Sequence, residues 1–383
     1  MLKYLNRITK YHLLVFLLLC CSGNPMWNFV NDLRVNYVIC ALFAIILFFT
    51  HHNIKTKGFV IYISSFVLIS LMQFVGVSGA TISSAIFIIL KIWIGFVLIS
   101  VVGYRFPKVY VETMVFIAVI SLVGFVYNNY VGVIPGVRHS DAAVSIYIYN
   151  QLDGIYSGFV SRNCGMFWEP GAYQGYLNIA VMFALLFDEV KKVKYQILIL
   201  IITILTTKST TGYAVLAFIL AYYVTFYYNN NIFIKFLLYI LLTWAFVYSY
   251  TRLDFLQDKM QEQTFNNQTE GRLNDIIRFA PLIKEHLFLG MSTEVANKAP
   301  SGNGLLSFLL YFGIFGVIIY FSTLWFHLKQ QCNKRMSLFI IGVIFLTLQG
   351  EGFIYYPCYL AWPFLLLQID KTGKIKTVEL IKK

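Results

Sequence analysis

The sequence predicts an all-α integral membrane protein with about 12 transmembrane helices. Of its 383 residues, 59% are hydrophobic and only 12% are charged, whereas soluble domains carry about 25% charged residues. The mean hydropathy is +0.71, and apolar runs of spanning length recur along most of the chain. We therefore expect residues 1–383 to form a single polytopic membrane domain.

Individual spans can be placed from the apolar runs, since a spanning helix needs roughly 20 mostly apolar residues. The candidates are 11–28, 36–51, 59–76, 82–102, 109–128, 174–188, 194–208, 212–229, 232–250, 304–326, 336–350 and 353–369. The first run follows Lys3, Arg7 and Lys10 and resembles a signal peptide. Because many spans follow it, we expect a retained first helix.

Basic residues occupy alternate connections between these spans, which sets the predicted orientation. One side carries Lys3, Arg7, Lys10, Lys55, Lys57, Arg105, Lys108, Lys191, Lys192, Lys194, Lys235, Lys329, Lys334, Arg335 and the lysines after residue 370. That side is cytoplasmic by the positive-inside rule, so both termini are expected there. The formal net charge of +13 is thereby explained by topology, and we expect no nucleic-acid partner.

The same layout puts two long hydrophilic loops, residues 129–173 and 251–303, on the extracytoplasmic face. Neither is large enough to be a comfortable independent domain, so we expect both to fold back on the bundle. Short amphipathic helices are predicted in these loops. Their polar residues are of more interest than the inner charges, which the orientation rule already explains.

The first loop ends in 161-SRNCGMFWEPGAYQGYLN-178, where Arg162 and Glu169 approach the next span. An arginine presents a planar fork of donors suited to phosphate oxygens, and a carboxylate beside it could take a proton from a sugar hydroxyl. Trp168 joins them as a candidate substrate contact, while Pro170 suits the first turn of a helix. The alternative is an Arg162–Glu169 pair that merely fixes the loop.

The second loop contains an amphipathic helix after residue 271. Its apolar positions are Ile276, Phe279, Ile283 and Leu287. Arg272 at the helix start is a candidate anion ligand, with a solvated basic face as the alternative. Arg278 within the helix could bind an anion or pair with Glu285, and Gly290 is predicted to end the segment.

Other polar residues fall at the outer ends of spans. Asn303 could hydrogen-bond a ligand or simply cap the following helix. Lys208 lies in a polar turn, and Glu351 falls on the same face. Further along, Gly313 and Gly316 permit close helix packing. Lys91, central in its span, either serves a function or snorkels and pairs inside the bundle.

Signatures of metal and cofactor sites are missing from the sequence. There is no CxxC pair, no Cys/His ligand spacing, no Gly-rich nucleotide loop and no zinc-protease motif, so we expect no cofactor and no metal. Cys164 and Cys358 could meet on the outer face, although the favoured interpretation of Cys164 is a free small residue.

The pattern "Arg, Gly-x-Phe, x-Glu-Pro" ahead of a span resembles the O-antigen polymerase and ligase superfamily. It is carried here by Arg162, Gly165, Phe167, Glu169 and Pro170. Two further similarities are weaker. Gly271, Arg272 and Gly290 are similar to a later loop of that family, and 207-TKSTTGY-213 is similar to its polar turn between middle spans.

The resemblance implies polymerisation of oligosaccharide repeat units carried on undecaprenyl diphosphate, at the periplasmic face of the inner membrane. It implies that Arg162 and Arg272 hold the diphosphates, with Arg278 in reserve, and that Glu169 orients Arg162 or acts as base. The implied catalytic residues are thus Glu169, Arg162 and Arg272. The partners are the lipid-linked donor and acceptor glycans and the bilayer, with a chain-length regulator and a flippase as further candidates.

One departure favours a polymerase over a ligase. Ligase-type members carry a histidine near the membrane mouth after the second loop, where this chain has Ser301, Gly302 and Asn303. Two hypotheses from other classes remain: a flippase for lipid-linked oligosaccharide, supported by Lys91 alone, and a membrane scaffold for an assembly complex.

Overall fold

A computed structural model gives the fold of most of the chain. It describes residues 9–27, 33–51, 54, 56–132, 134–140, 143–152, 162–187, 190–227, 232–233, 235–236, 238–240, 272–297 and 301–365. Most of the predicted span at 232–250 and the first part of the second loop lie outside the described residues.

Helices dominate the described residues. In chain order they are α1 (Lys10–Cys20), α2 (Leu33–Thr50), α3 (Lys57–Gly76), α4 (Ile82–Val102), α5 (Phe106–Tyr130), α6 (Pro170–Phe187), α7 (Val190–Thr206), α8 (Thr210–Phe226), α9 (Arg272–Glu285), α10 (Thr293–Ala296), α11 (Gly304–Gln331), α12 (Lys334–Leu348) and α13 (Pro357–Leu360). Among them, α6 is enclosed along nearly its whole length. It packs against α5, α7 and α8 and so forms the centre of the bundle.

Several helices have the length and composition of membrane spans. Three described stretches qualify by both criteria: Gly58–Gly76, Ile82–Tyr130 and Gly304–Gln331. The second is two helices, because Gly103 (φ 60°) ends α4 before α5 begins. Apolar side chains such as Val75 and Val123, 86% and 67% exposed, face outward as lipid contacts do. The protein is a mostly helical membrane protein, and the count of twelve spans stays a prediction.

The first long loop differs from its predicted amphipathic helices. Residues 137–140 and 143–152 form a three-stranded antiparallel sheet of β1 (Val137–Ser140), β2 (Ala143–Ile146) and β3 (Tyr149–Leu152), in the order β1-β2-β3. The prediction of helix is wrong here because 143-AVSIYIYNQL-152 is rich in β-branched and aromatic residues, which favour strands.

Helix α11 is broken at Gly313, where a continuous span was predicted. Gly313 has φ 62°, and a Cβ built on it would come within 2.3 Å of the Phe288 carbonyl oxygen. The chain after α9 fills the break: Ile314 N donates to Leu287 O at 2.7 Å and Met291 N to Leu310 O at 2.7 Å. Gly313 therefore permits close packing, as predicted, but against a loop of the second outer segment.

The last described segment, 349–365, is also irregular, although a continuous helix was predicted over 353–369. It consists of α13 between two 3-10 turns, and residues 357–365 are buried. Side chains of other helices donate to its carbonyls: Tyr320 to Tyr359 at 2.8 Å, Tyr62 to Leu360 at 2.9 Å and His327 to Pro363 at 2.7 Å. Irregular backbone is tolerated in a membrane protein where such bonds satisfy it.

Candidate functional site

Arg162 is anchored to the polar turn between α7 and α8. Its Nε donates to the Thr207 carbonyl at 3.1 Å and its Nη2 to the Lys208 carbonyl at 3.0 Å. Next to it, the backbone N of Asn163 donates to Thr206 O at 3.1 Å, and Asn163 Nδ2 to Thr206 Oγ1 at 3.0 Å. The structure thus joins the Arg162 motif to the TKSTTGY turn, two segments that sequence reasoning had considered separately.

A compact buried turn after Arg162 fixes this anchor. Asn163 is fully buried, and its Oδ1 accepts from Gly165 N at 2.9 Å. Gly165 adopts φ 55°, and a Cβ there would lie 2.6 Å from the Tyr173 ring, so glycine is required. Sequence reasoning missed Asn163, although buried amides that satisfy a turn are common next to glycine.

Lys208 adds a second cation beside Arg162. Its backbone has φ 49°, which points its carbonyl at the guanidinium. Burial lowers the pKa of Lys208, and the charge of Arg162 lowers it further. Burial also lowers the pKa of Arg162, while Cys164, Glu169 and Glu351 act in the opposite direction. Two adjacent, partly desolvated cations form a place where an anion is stabilised.

Glu169 lies near Arg162 but is held by another group. Its Oε1 accepts a hydrogen bond from Trp168 Nε1 at 2.8 Å, and the Trp168 ring packs on Tyr356 with centroids 4.7 Å apart. Among the described residues, Arg162 and Glu169 form no direct ion pair. The alternative of a simple Arg162–Glu169 clamp therefore fails, because backbone carbonyls fix the arginine.

Glu351 is a second carboxylate at the same place, and it was absent from the predicted site. A Cβ built on Gly171 would lie 2.1 Å from Glu351 Oε1, and one built on Gly304 would lie 1.7 Å from the Glu351 carbonyl oxygen. These glycines stand at the starts of α6 and α11. The sequence placed Glu351 on the same face as Lys208, but no local pattern predicted its close contacts with Gly171 and Gly304.

The start of α9 is tied to the mouth of α11 by Asp275. Its Oδ2 accepts from Ser301 Oγ at 2.8 Å and from Gly302 N at 2.9 Å. Arg272 is the first residue of α9, one turn before Asp275, and its side chain lies outside the described residues. Asp275, missed by sequence reasoning, is thus the contact that brings the start of α9 towards the site.

The buried face of α9 differs from the one that the sequence predicted. Phe279 is buried and Ile283 is partly buried, whereas Ile276 and Leu287 are 47% and 39% exposed. Arg278 is exposed, with its guanidinium over the ring of its neighbour Phe279 at 5.2 Å. The structure does not bring Arg278 to Arg162, so its role as a reserve ligand stays a prediction.

Asn303 serves as a helix cap, which was the simpler of its two predicted roles. Its Oδ1 accepts from the backbone N of Leu305 and Leu306 at 2.9 and 3.2 Å. Its Nδ2 donates to Gln349 Oε1 at 2.9 Å. Asn303 therefore links the mouth of α11 to the turn that carries Glu351.

Lys91 is enclosed by aromatic rings inside the bundle. It is 1% exposed, and its Nζ lies 3.1 Å from the centroid of the Tyr355 ring and 5.3 Å from that of Tyr37. Cation–π contacts of this kind stabilise a desolvated ammonium. Lys91 therefore pairs inside the bundle, one of its two predicted roles.

Thiols and potential metal ligands do not gather at this site. Cys164 and Cys358 are free and buried. For Cys164 this agrees with the favoured interpretation of a free small residue. Within the part of the chain that the structure describes, no group of three His, Cys, Asp or Glu side chains could hold a metal ion.

The helix ends at Thr206, Pro170, Gly304 and Leu348 thus lie at one end of an apolar bundle, near Arg162, Lys208, Glu169 and Glu351. That architecture defines a polytopic membrane protein with a polar site formed by its loops. Residues 196–321 match the family described as O-antigen ligase.

The family match covers about a third of the chain and includes Lys208, Arg272, Arg278 and Asn303. Arg162 and Glu169 precede it and are joined to it by the bonds to Thr207 and Lys208. No curated protein and no solved structure matches the chain.

Proposed function

We propose that the protein is a polymerase of oligosaccharide repeat units linked to undecaprenyl diphosphate, as in O-antigen or capsule synthesis. The observation that carries this proposal is the anchoring of Arg162, which has two carboxylates near it, to Lys208 of the family-matched region. A lipid-linked diphosphate brings negative charge to a membrane protein at the surface of the bilayer, where these cations are expected.

In this reaction Arg162 and Lys208 bind the donor's diphosphate. Two of the N–H groups of Arg162 bond to carbonyls, so the guanidinium is fixed while its remaining donors meet phosphate oxygens. Arg272 is proposed to hold the second diphosphate, that of the acceptor. Trp168, beside Glu169, is proposed to contact the sugar.

The chemical step transfers the growing glycan to a new repeat unit. The terminal hydroxyl of the new unit attacks the anomeric carbon of the chain, the bond from that carbon to the diphosphate oxygen breaks, and undecaprenyl diphosphate leaves. The bound cations stabilise the charge that develops on the leaving group. We propose that this site faces the periplasm, with both termini in the cytoplasm of a bacterial inner-membrane protein.

Reconstitution tests this function. Purified protein in liposomes, given the purified lipid-linked repeat unit and a metal chelator, is expected to produce a ladder of longer lipid-linked glycans. Heat-inactivated protein should leave the single unit unchanged. If the native protein forms no ladder, the polymerase proposal is wrong.

A ligase is the second candidate, because the matching family is described as O-antigen ligase. Ligase-type members carry a histidine in the stretch that is occupied here by Ser301, Gly302 and Asn303. Ser301 and Gly302 donate hydrogen bonds to Asp275, and Asn303 caps α11. Deleting the gene distinguishes the two. Lipid capped with one repeat unit indicates a polymerase, whereas lipid without any glycan, with polymer still made, indicates a ligase.

A flippase is the third candidate and depends on Lys91. The structure places Lys91 against Tyr355 inside the bundle, which supports a structural pair more than a translocation path. If Lys91→Ala abolished function while Arg162→Ala and Arg272→Ala had no effect, the polymerase proposal would fail. A scaffold should tolerate all three substitutions.

A further inference from the structure

Glu351 stands where the two outer loops meet. Its side chain packs on Gly171, directly after the Glu169-Pro170 end of the first loop, and its backbone packs on Gly304, directly after the second loop. Alanine at either glycine would overlap it. In the proposed reaction the first loop holds the donor diphosphate and the second loop holds the acceptor, so a residue that contacts the ends of both loops is a candidate for a catalytic role.

The Glu351 side chain lies where negative charge is stabilised. Helices α6 and α11 begin beside it, and helix N-termini stabilise negative charge. Arg162 and Tyr356 lie within electrostatic reach of Glu351. A general base must be deprotonated before each turnover, so that it can take a proton during the reaction and release it to water afterwards.

Glu169 is less suited to that task. One of its oxygens accepts from Trp168 Nε1 at 2.8 Å, and the residue belongs to the first loop alone. The turn of Glu351 contacts the ends of both loops, and a Cβ built on the next residue, Gly352, would meet no atom within 4 Å.

On the basis of the proposed polymerase function, we propose that Glu351 takes the proton from the attacking sugar hydroxyl. As the hydroxyl oxygen bonds to the anomeric carbon, its proton moves to the Glu351 carboxylate. The electron pair of the broken carbon–oxygen bond leaves with undecaprenyl diphosphate. Glu169 then positions Trp168.

Replacing the carboxylate by its amide tests the role. In the reconstituted system, Glu351→Gln should lower turnover by about 100-fold or more, the range of a lost general base, with KM for the lipid-linked unit changed little. Wild-type turnover should fall on the acidic side of its pH profile, and that dependence should vanish in the variant. Glu285→Gln, a matched change at an exposed residue of the second loop, should behave as wild type.

Glu351→Asp keeps the acid and covers the case in which the amide variant does not fold. It should retain part of the turnover and the acidic dependence. Turnover of Glu351→Gln within about threefold of wild type, or an acidic limb that persists there and disappears in Glu169→Gln, would overturn the proposal. A wild-type protein without any ladder instead contradicts the polymerase function itself, so the two failures are distinguishable.

Discussion

The geometry of Arg162 shows why this position needs a guanidinium. Two carbonyls, of Thr207 and Lys208, each receive a separate N–H from it. Lysine has a compact ammonium on a flexible stem and cannot reproduce this fork. The residue therefore combines anchoring of the loop with presentation of charge to a ligand.

Arg162→Lys is expected to reduce polymer formation by at least about tenfold, because the loss of one charge-assisted hydrogen bond costs about 1.5–3 kcal/mol. Initial rates of ladder formation by the reconstituted protein provide the measurement. Arg335→Lys is the matched control, since Arg335 contacts the Phe226 ring at the opposite end of α8. Equal rates for Arg162→Lys and wild type would show that charge alone suffices.

Two substitutions of Asn303 distinguish its role as a helix cap from its hydrogen bond to Gln349. Asn303→Ala removes the cap of α11 and should lower stability by about 1 kcal/mol, seen as a lower midpoint of thermal unfolding in detergent. Asn303→Asp keeps an acceptor for Leu305 and Leu306 but cannot donate to Gln349. It should unfold near the wild-type temperature. An equally large loss in Asn303→Asp would assign the stability to the Gln349 bridge instead.

At the scale of the helices, the stability of the protein is expected to depend on the break in α11 at Gly313. Gly313→Ala should destabilise the protein, because φ 62° disfavours alanine and its Cβ would meet the Phe288 carbonyl at 2.3 Å. The expected result is a thermal midpoint several degrees lower. Gly342→Ala in α12 is the control: its nearest atom lies at 3.5 Å, and alanine favours a helix interior by about 1 kcal/mol. An unaffected Gly313→Ala would mean that the break does not need glycine.

Helices were predictable from the sequence, whereas their interruptions were not. The apolar runs of α3 and α4 follow from hydropathy alone. The chain 349–365 is less apolar, and its irregular form depends on donors from Tyr62, Tyr320 and His327, which are distant in sequence. The same limit applies to the site. Arg162 carried a local motif, but the contacts of Glu351 with Gly171 and Gly304 are tertiary.

Across the whole molecule, the candidate site is assembled from chain segments that no single local pattern covers. The first loop supplies Arg162, the α7–α8 turn supplies Lys208, α9 supplies Asp275 and the turn after α12 supplies Glu351. The family match covers the middle segments, and hydrogen bonds tie the outer ones to them. All belong to one end of the bundle, so the orientation of the bundle decides which compartment the site faces.

Native Cys332 offers a test of that orientation. It is partly exposed between α11 and α12, whereas the other five cysteines are buried, and the neighbouring Lys329, Lys334 and Arg335 predict a cytoplasmic turn. A membrane-impermeant maleimide should label Cys332 only after the inner membrane is permeabilised. Gly302→Cys in a Cys332→Ser background should react in intact cells, because residue 302 is exposed at the mouth of the site. Labelling of Cys332 in intact cells would mean that the topology is the inverse of the predicted one and that the site faces the cytoplasm.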